Sequence, residues 1–252
     1  AKILILENHD DFGGHAKRNE FHVDGKLLIM LGGTAGISSP TPYSPIADGL
    51  LKHLGIYPDK LAKDTYDKEL YSKYNLGAGV FFDKETFGED KLVLQAGGYK
   101  KSAEDTVKFL AQAPLSDAVR KDILAIETGS VDYMAGLSAD EKKDRLSRMS
   151  YADYLLNVVK ANPAVIPYYL HLTDGYWGCG IDAISALDCW GIGWPGFDGL
   201  KLPRTATARM GYTPGKELET GGSYTYAFPD GNASVARLLV RDLIPAVVPG
   251  TT

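Results

Sequence analysis

Residues 2–21 read KILILENHDDFGGHAKRNEF, and the reading of that stretch decides the fold. Four aliphatic residues, Ile3, Leu4, Ile5 and Leu6, end in Glu7, and the pair Gly13-Gly14 follows within one short loop. A continuous apolar run bounded by polar and glycine residues predicts a strand buried on both faces, as in a parallel sheet. An acid at the carboxyl end of such a strand stands where doubly wound sheets hold a dinucleotide's ribose, because a carboxylate accepts a bond from each of two hydroxyls. The glycine fingerprint that partners this acid lies ~20 residues upstream. The chain opens at Ala1, so that fingerprint is expected outside these 252 residues.

Working outward, residues 20–30 predict a hairpin, with Asp24-Gly25 between Phe21, His22, Val23 and the run from Leu27 to Met30. Asp-Gly supplies the positive φ values that a tight hairpin turn requires. The hairpin leads to Gly32-Gly33-Thr34-Ala35-Gly36, with no following Lys-Ser or Lys-Thr, which excludes a nucleotide P-loop. Such glycine density predicts close backbone approach to something flat or bulky. Near the other end, Tyr224 and Tyr226 alternate in strand fashion, Pro229-Asp230-Gly231 turns, and residues 232–243 predict an amphipathic helix with Val235, Leu238, Leu239 and Leu243 inward.

Between these flanks the chain is rich in helix formers. Ile46, Leu50, Leu51 and Leu54 recur at helical spacing and Gly55 closes that helix; Pro58 opens a second helix reaching Tyr74 through Leu61, Tyr66 and Leu70. Val80 to Phe82 and Leu92 to Leu94 predict a second hairpin. Ser102 with Asp105 and Ser138 with Glu141 open helices as reciprocal caps, residues 117–127 and 150–160 predict two more, and Pro163 starts another. The basic group Lys142, Lys143, Arg145 and Arg148, interleaved with Glu141 and Asp144, reads as a solvated helix face. Residues 174–197 carry all three tryptophans, Trp177, Trp190 and Trp194, around an expected apolar helix over 181–190. That helix reads either as core with bulky caps or as the wall of a substrate pocket, with Asp182 or Asp188 as counter-charge to a cation. For an acid at a helix start, a favourable dipole contact is the simpler account.

Composition narrows the classes. The chain has 252 residues, 44% of them apolar and 23% charged, enough for one large or two small cores. A net charge of −5 without a long basic run argues against nucleic acid or an anionic membrane as partner. No apolar run reaches the ~20 residues that span a bilayer. Two cysteines are too few for a disulfide framework or a four-ligand metal site, and the loop set His9, Asp10, Asp11 and His15 lacks the helical spacing of a metal centre. No Gly-x-Ser-x-Gly elbow marks a hydrolase. His22, His53 and His171 stand apart and read as structural or surface histidines.

Glu7, the loop 8–12, Gly13-Gly14 and His15 resemble the second strand and following loop of the FAD-dependent amine oxidase and phytoene desaturase superfamily. The wording GGHAKRNEF (13–21), GGTAGISSPTPYSP (32–45) and FPDGNASVARLLVRDLIP (228–245) is most similar to bacterial spermidine dehydrogenase-like oxidoreductases. The resemblance implies an α/β (α+β) fold: a partial Rossmann-like FAD-binding layer in residues 1–44, a largely helical substrate or cap domain in 45–220, and a return segment in 221–252. It implies FAD as cofactor, held by Glu7, Asn8, His9, Gly13, Gly14, His15, Gly32, Gly33, Thr34 and Asn232. It implies a small-molecule, polyamine-like amine as substrate, with Trp177 and Asp182 as candidate contacts, and identifies no catalytic residue. The rest of its own polypeptide is an implied partner, and export to the periplasm an implied localisation. The superfamily places arginines where His9 and His15 stand, and histidine carries less charge at neutral pH. Backbone amides of the Gly-Gly loop are then the remaining pyrophosphate donors. The alternative is a non-catalytic fragment, a helical interaction domain that binds no cofactor by itself.

Overall fold

The computed structural model describes residues 3–38, 45–65, 69–95, 102–205, 207–211 and 225–246. Small antiparallel sheets and many short helices give it an α+β character. The chain divides into two compact units, residues 1–68 with 216–252, and residues 69–215.

The first unit lacks the expected buried strand. Ile3 to Leu6 form no strand, and their side chains are 80–84% exposed instead of buried on both faces. A strand exists only through a ladder partner, and none of the described residues pairs with this run. The predicted hairpin does form: β1 (Arg18–Val23) pairs antiparallel with β2 (Lys26–Leu31), with Phe21 opposite Leu28. Asp24 at φ +48° and Gly25 at φ +73° make the tight turn. Along β2 the apolar side chains from Leu27 to Leu31 are 38–57% exposed, so neither face of this ribbon is sealed.

Beyond the glycine loop, β3 (Gly36–Ser38) pairs with a strand near the far end of the chain, described below. Helix α1 (Pro45–His53) ends as its sequence predicts: Gly55 takes φ +75°, its N–H donates to Lys52 O at 3.0 Å, and Ile56 N donates to Leu51 O at 2.8 Å. This motif satisfies two otherwise orphaned carbonyls and turns Leu54 and Ile56 inward, where both are buried. Helix α2 (Pro58–Thr65) is shorter than expected; Tyr66 lies outside the described residues, Leu70 sits in a turn, and Tyr74 closes a 3₁₀ turn over Ser72–Tyr74. Polar residues dominate between Leu61 and Leu70, leaving little apolar stripe to hold a long helix against a core.

The second unit starts with the second predicted hairpin, β4 (Ala78–Phe82) against β5 (Lys91–Gln95), with Val80 opposite Val93. Its connection winds into a short helix, α3 (Lys84–Phe87), capped by Asp83. Phe82 and Val93 point into the core, while Phe81, Leu92 and Leu94 point out, more than 60% exposed. Helices α4 (Ala103–Gln112), α5 (Asp117–Thr128) and α6 (Ala139–Leu146) each start on a serine, and Ser102 and Ser138 form full capping boxes with Asp105 and Glu141. Ser150 caps α7 (Tyr151–Asp153), which continues as a π-turn over Tyr154–Val158 and ends at Lys160, φ +64°.

After Pro163 the chain takes short helical turns, α8 (Ile166–Tyr169) and α9 (Asp174–Trp177). Helix α10 (Ala186–Ile192) begins at Ser185, so Ile181 to Ile184 are not part of it as expected. The Ser185 side chain accepts from Asp188 N at 3.0 Å, which sets the start. The core is aromatic. Tyr151, Tyr154 and Tyr169 are fully buried, and Tyr154 stacks on Phe197 at 4.6 Å. Each phenol finds a partner: Tyr151 donates to Pro195 O (2.9 Å), Tyr154 to Gly196 O (2.7 Å) and Tyr169 to Glu127 Oε1 (3.1 Å).

The chain returns to the first unit through β6 (Thr225–Ala227), whose Ala227 lies opposite Gly36 of β3, and α11 (Ala233–Leu243). Tyr224 lies outside the described residues. The α11 side chains are half-buried almost all round, and Leu243, expected inward, is 72% exposed. It stands in the last turn, where the described chain offers no apolar surface to cover it.

The basic group at α6 is not a solvated face. Lys142 and Lys143 are buried; only Arg145 and Arg148 are exposed. Lys142 Nζ meets Asp132 at 2.7 Å and Leu200 O at 3.3 Å. Lys143 Nζ donates to Thr205 O (2.8 Å) and Oγ1 (3.0 Å) and lies 5.0 Å from the Trp190 ring centroid. The carbonyls that take both amines, Leu200 O and Thr205 O, lie 58 and 62 positions further along the chain, a placement that charge patterning around α6 does not encode.

Candidate functional site

Glu7 closes its own loop. Its Oε1 accepts from Asn8 N (2.8 Å) and His9 N (3.0 Å) and meets His9 Nδ1, while Oε2 accepts from Gly14 N at 2.6 Å. The imidazole bond and then the backbone amides favour the ionised form and lower the carboxyl pKa to about 2. Gly13 (φ +111°) and Gly14 (φ +59°) supply the left-handed backbone that turns Gly14 N toward the acid.

The glycines are required where other chain segments touch them. A Cβ on Gly13 would meet Ala236 Cβ of α11 at 3.1 Å, one on Gly33 would overlap His15 O at 1.7 Å, and one on Gly231 (φ +66°) would meet Thr34 O at 2.5 Å. Asn232 joins the same junction, its N–H donating to Thr34 O (3.1 Å) and its Nδ2 to Gly36 O (3.0 Å), while its Oδ1 is buried without a partner. Arg237 of α11 pairs with Asp11 at 2.6 Å and lies over the Phe12 ring at 5.4 Å. Arg18 pairs with Glu20 and stands 3.9 Å from Asp230, whose carboxylate also takes the Ser234 hydroxyl.

The residues expected to hold the cofactor therefore come together from three distant stretches, 7–15, 32–36 and 231–232, in one unit. Arg18, Asp230 and Arg237, which tie the same junction, were missed; a lone charge on a predicted helix or strand carries no sign of its partner. The expected substrate contacts lie in the other unit. Trp177 ends α9, half-buried beside Tyr176 with ring centroids 5.6 Å apart. Asp182 is exposed on the turn before α10, and Asp188 accepts from Ser185 and from Gly211 N.

Chemically, a carboxylate offers about four lone-pair sites. Oε1 of Glu7 is saturated by three donors and Oε2 holds one, which leaves Oε2 able to accept a ligand hydroxyl from solvent, with the side chain 26% exposed. Gly13, Gly33 and Gly231 offer no open cradle, since chain atoms already fill the space a side chain would take. Among the described residues, the stretch thus offers one free acceptor position, on Glu7 Oε2, and no open space beside Gly13, Gly33 or Gly231. His53 pairs with Asp242 (2.8 Å) and His171 with Asp174 (2.7 Å), as surface histidines do. Among the described residues, no helix is long and apolar enough to cross a membrane. No protein-family model matches the chain, and no curated protein matches it significantly.

Proposed function

We propose that this chain is part of an FAD-dependent oxidoreductase that oxidises a polyamine-like amine, with residues 1–44 contributing to a Rossmann-like layer. The observation that carries the reading is the convergence of Glu7, Gly14, Thr34 and Asn232, singled out from sequence stretches that resemble flavoenzymes, on one junction of the fold. FAD, when bound, supplies the hydride acceptor for oxidation of the C–N bond. Glu7 would accept a ribose hydroxyl on Oε2, and its ionised state at neutral pH strengthens that bond. The exposed run Ile3 to Leu6 would be covered by a neighbouring strand in this reading, which accounts for an apolar segment 80–84% exposed. Trp177 and Asp182 would face the amine.

A second reading, a helical domain that binds no cofactor by itself, is favoured by the four donors already on Glu7 and by the filled glycine approaches. The test is flavin content. Purified after refolding with excess FAD, the chain or a longer protein containing it should be yellow with a two-band flavin spectrum, and Glu7→Ala should lose most of that flavin on gel filtration. A colourless longer protein would remove the flavoenzyme reading, and a yellow one with unchanged flavin in Glu7→Ala would remove the ribose role.

A further inference from the structure

The turn between α1 and α2, α2 itself and α11 border an open cavity of about 430 Å³ within the first unit, a volume in the range of small-ligand sites. Its apolar lining includes Leu54, Ile56, Leu61, Phe228 and Leu238. Its charges are the informative part. Arg18 and Arg237 line it but are engaged, by Glu20 and Asp230 and by Asp11. Lys60 and Arg241 line it as well, and neither holds an ion pair among the described residues; nor does Asp64, the one remaining acid. Among the described lining residues, Lys60 and Arg241 are therefore cations that stand beside an apolar wall with no ion-pair partner.

We infer that this cavity binds an amphipathic monoanion, an aliphatic or aromatic carboxylate whose apolar body lies along Leu54, Ile56 and Leu238 and whose head is held by Lys60 and Arg241. A neutral apolar ligand would make no use of the two cations, and a small inorganic anion would leave the apolar lining wet. Arg241 can present two parallel N–H groups to a carboxylate, and Lys60 adds a point charge. Glu7, Gly13, Gly14 and Gly33 do not line it, although Arg18, Asp230 and Arg237 of the neighbouring junction do, so the contacts proposed for Lys60 and Arg241 go beyond the flavin reading.

The experiment is a calorimetric titration of the whole 252-residue chain with decanoate, decan-1-ol and acetate. Expected is saturable binding of one decanoate per chain, with decan-1-ol and acetate at least tenfold weaker. The double variant Lys60→Gln/Arg241→Gln, folded by circular dichroism, should bind decanoate at least tenfold more weakly, and the single variant Lys60→Gln, at an exposed position, should show part of that loss. Equal binding of decan-1-ol, or decanoate binding unchanged in the variants, would show adsorption on exposed apolar surface such as Ile3 to Leu6 and overturn the proposal. Binding of acetate as tight as that of decanoate would overturn its apolar half. Displacement of decanoate by FAD would overturn it as a separate site.

Discussion

Glu7 illustrates how a single side chain organises its surroundings. Folding lowers its pKa from 4.5 to about 2, so the ionised form is favoured by the folded loop. The loop's dependence on that charge is then fully satisfied above about pH 4.5 and is lost as pH falls through about 2. We expect the Gly14 amide, bonded to Oε2, to stay protected from hydrogen exchange at pH 5 and to lose protection between pH 4 and 2, and Glu7→Gln to weaken it at pH 5. Protection of Gly14 independent of pH in that window would show that backbone geometry alone holds the loop. Lys143 shows the opposite case, a charge taken out of water: burial pushes its amine pKa down, and the Thr205 oxygens and the Trp190 face compensate. Lys143→Ala is expected to cost about 2–3 kcal/mol in urea unfolding through a cavity and an unpaired Thr205 carbonyl. Lys143→Met also loses the bond to Thr205 but keeps the packing of the stem, and should cost about 1 kcal/mol less than Lys143→Ala.

At the scale of elements, helix starts were the most legible feature. Serines at 102 and 138 with acids three positions later form capping boxes as read from the sequence, because a cap is a local bond between neighbours. Ser138→Ala should destabilise the second unit by about 1 kcal/mol and Ser138→Gly by less, measured by chemical denaturation. The two hairpins were legible for the same reason, Asp24-Gly25 fixing one turn and apolar runs of matching length fixing the other. Elements that depend on distant cover were not. The run Ile3 to Leu6 looks like a buried strand only if another strand lies beside it, and residues 181–184 look helical only if Ser185 is overlooked as a cap.

At the scale of the whole molecule, the division into two units groups α1 and α2 with the terminal segments and gives residues 69–215 a contiguous aromatic core of their own. A fragment of residues 69–215 is therefore expected to fold alone, with a cooperative thermal transition and a near-ultraviolet tryptophan signal. A non-cooperative transition would show that this core depends on the first unit. The candidate site was half legible at this scale. The sequence named Glu7, Gly13, Gly14, Gly33, Thr34 and Asn232 through resemblance and glycine density, yet it could not say what the glycines approach. The structure answers with atoms of the chain itself: His15, brought to Gly33 by the continuation of the β1–β2 hairpin, and Ala236 and Thr34, which meet Gly13 and Gly231 where the far end of the chain returns beside the β3–β6 pairing. Sequence by itself determined the local features, caps, turns, hairpins and the acid with its glycine pair, because each is settled by residues within a few positions of one another. Only the tertiary structure decided which charges are buried, where the cation-lined cavity lies and what fills the space beside each glycine, because those depend on contacts between segments far apart in the chain.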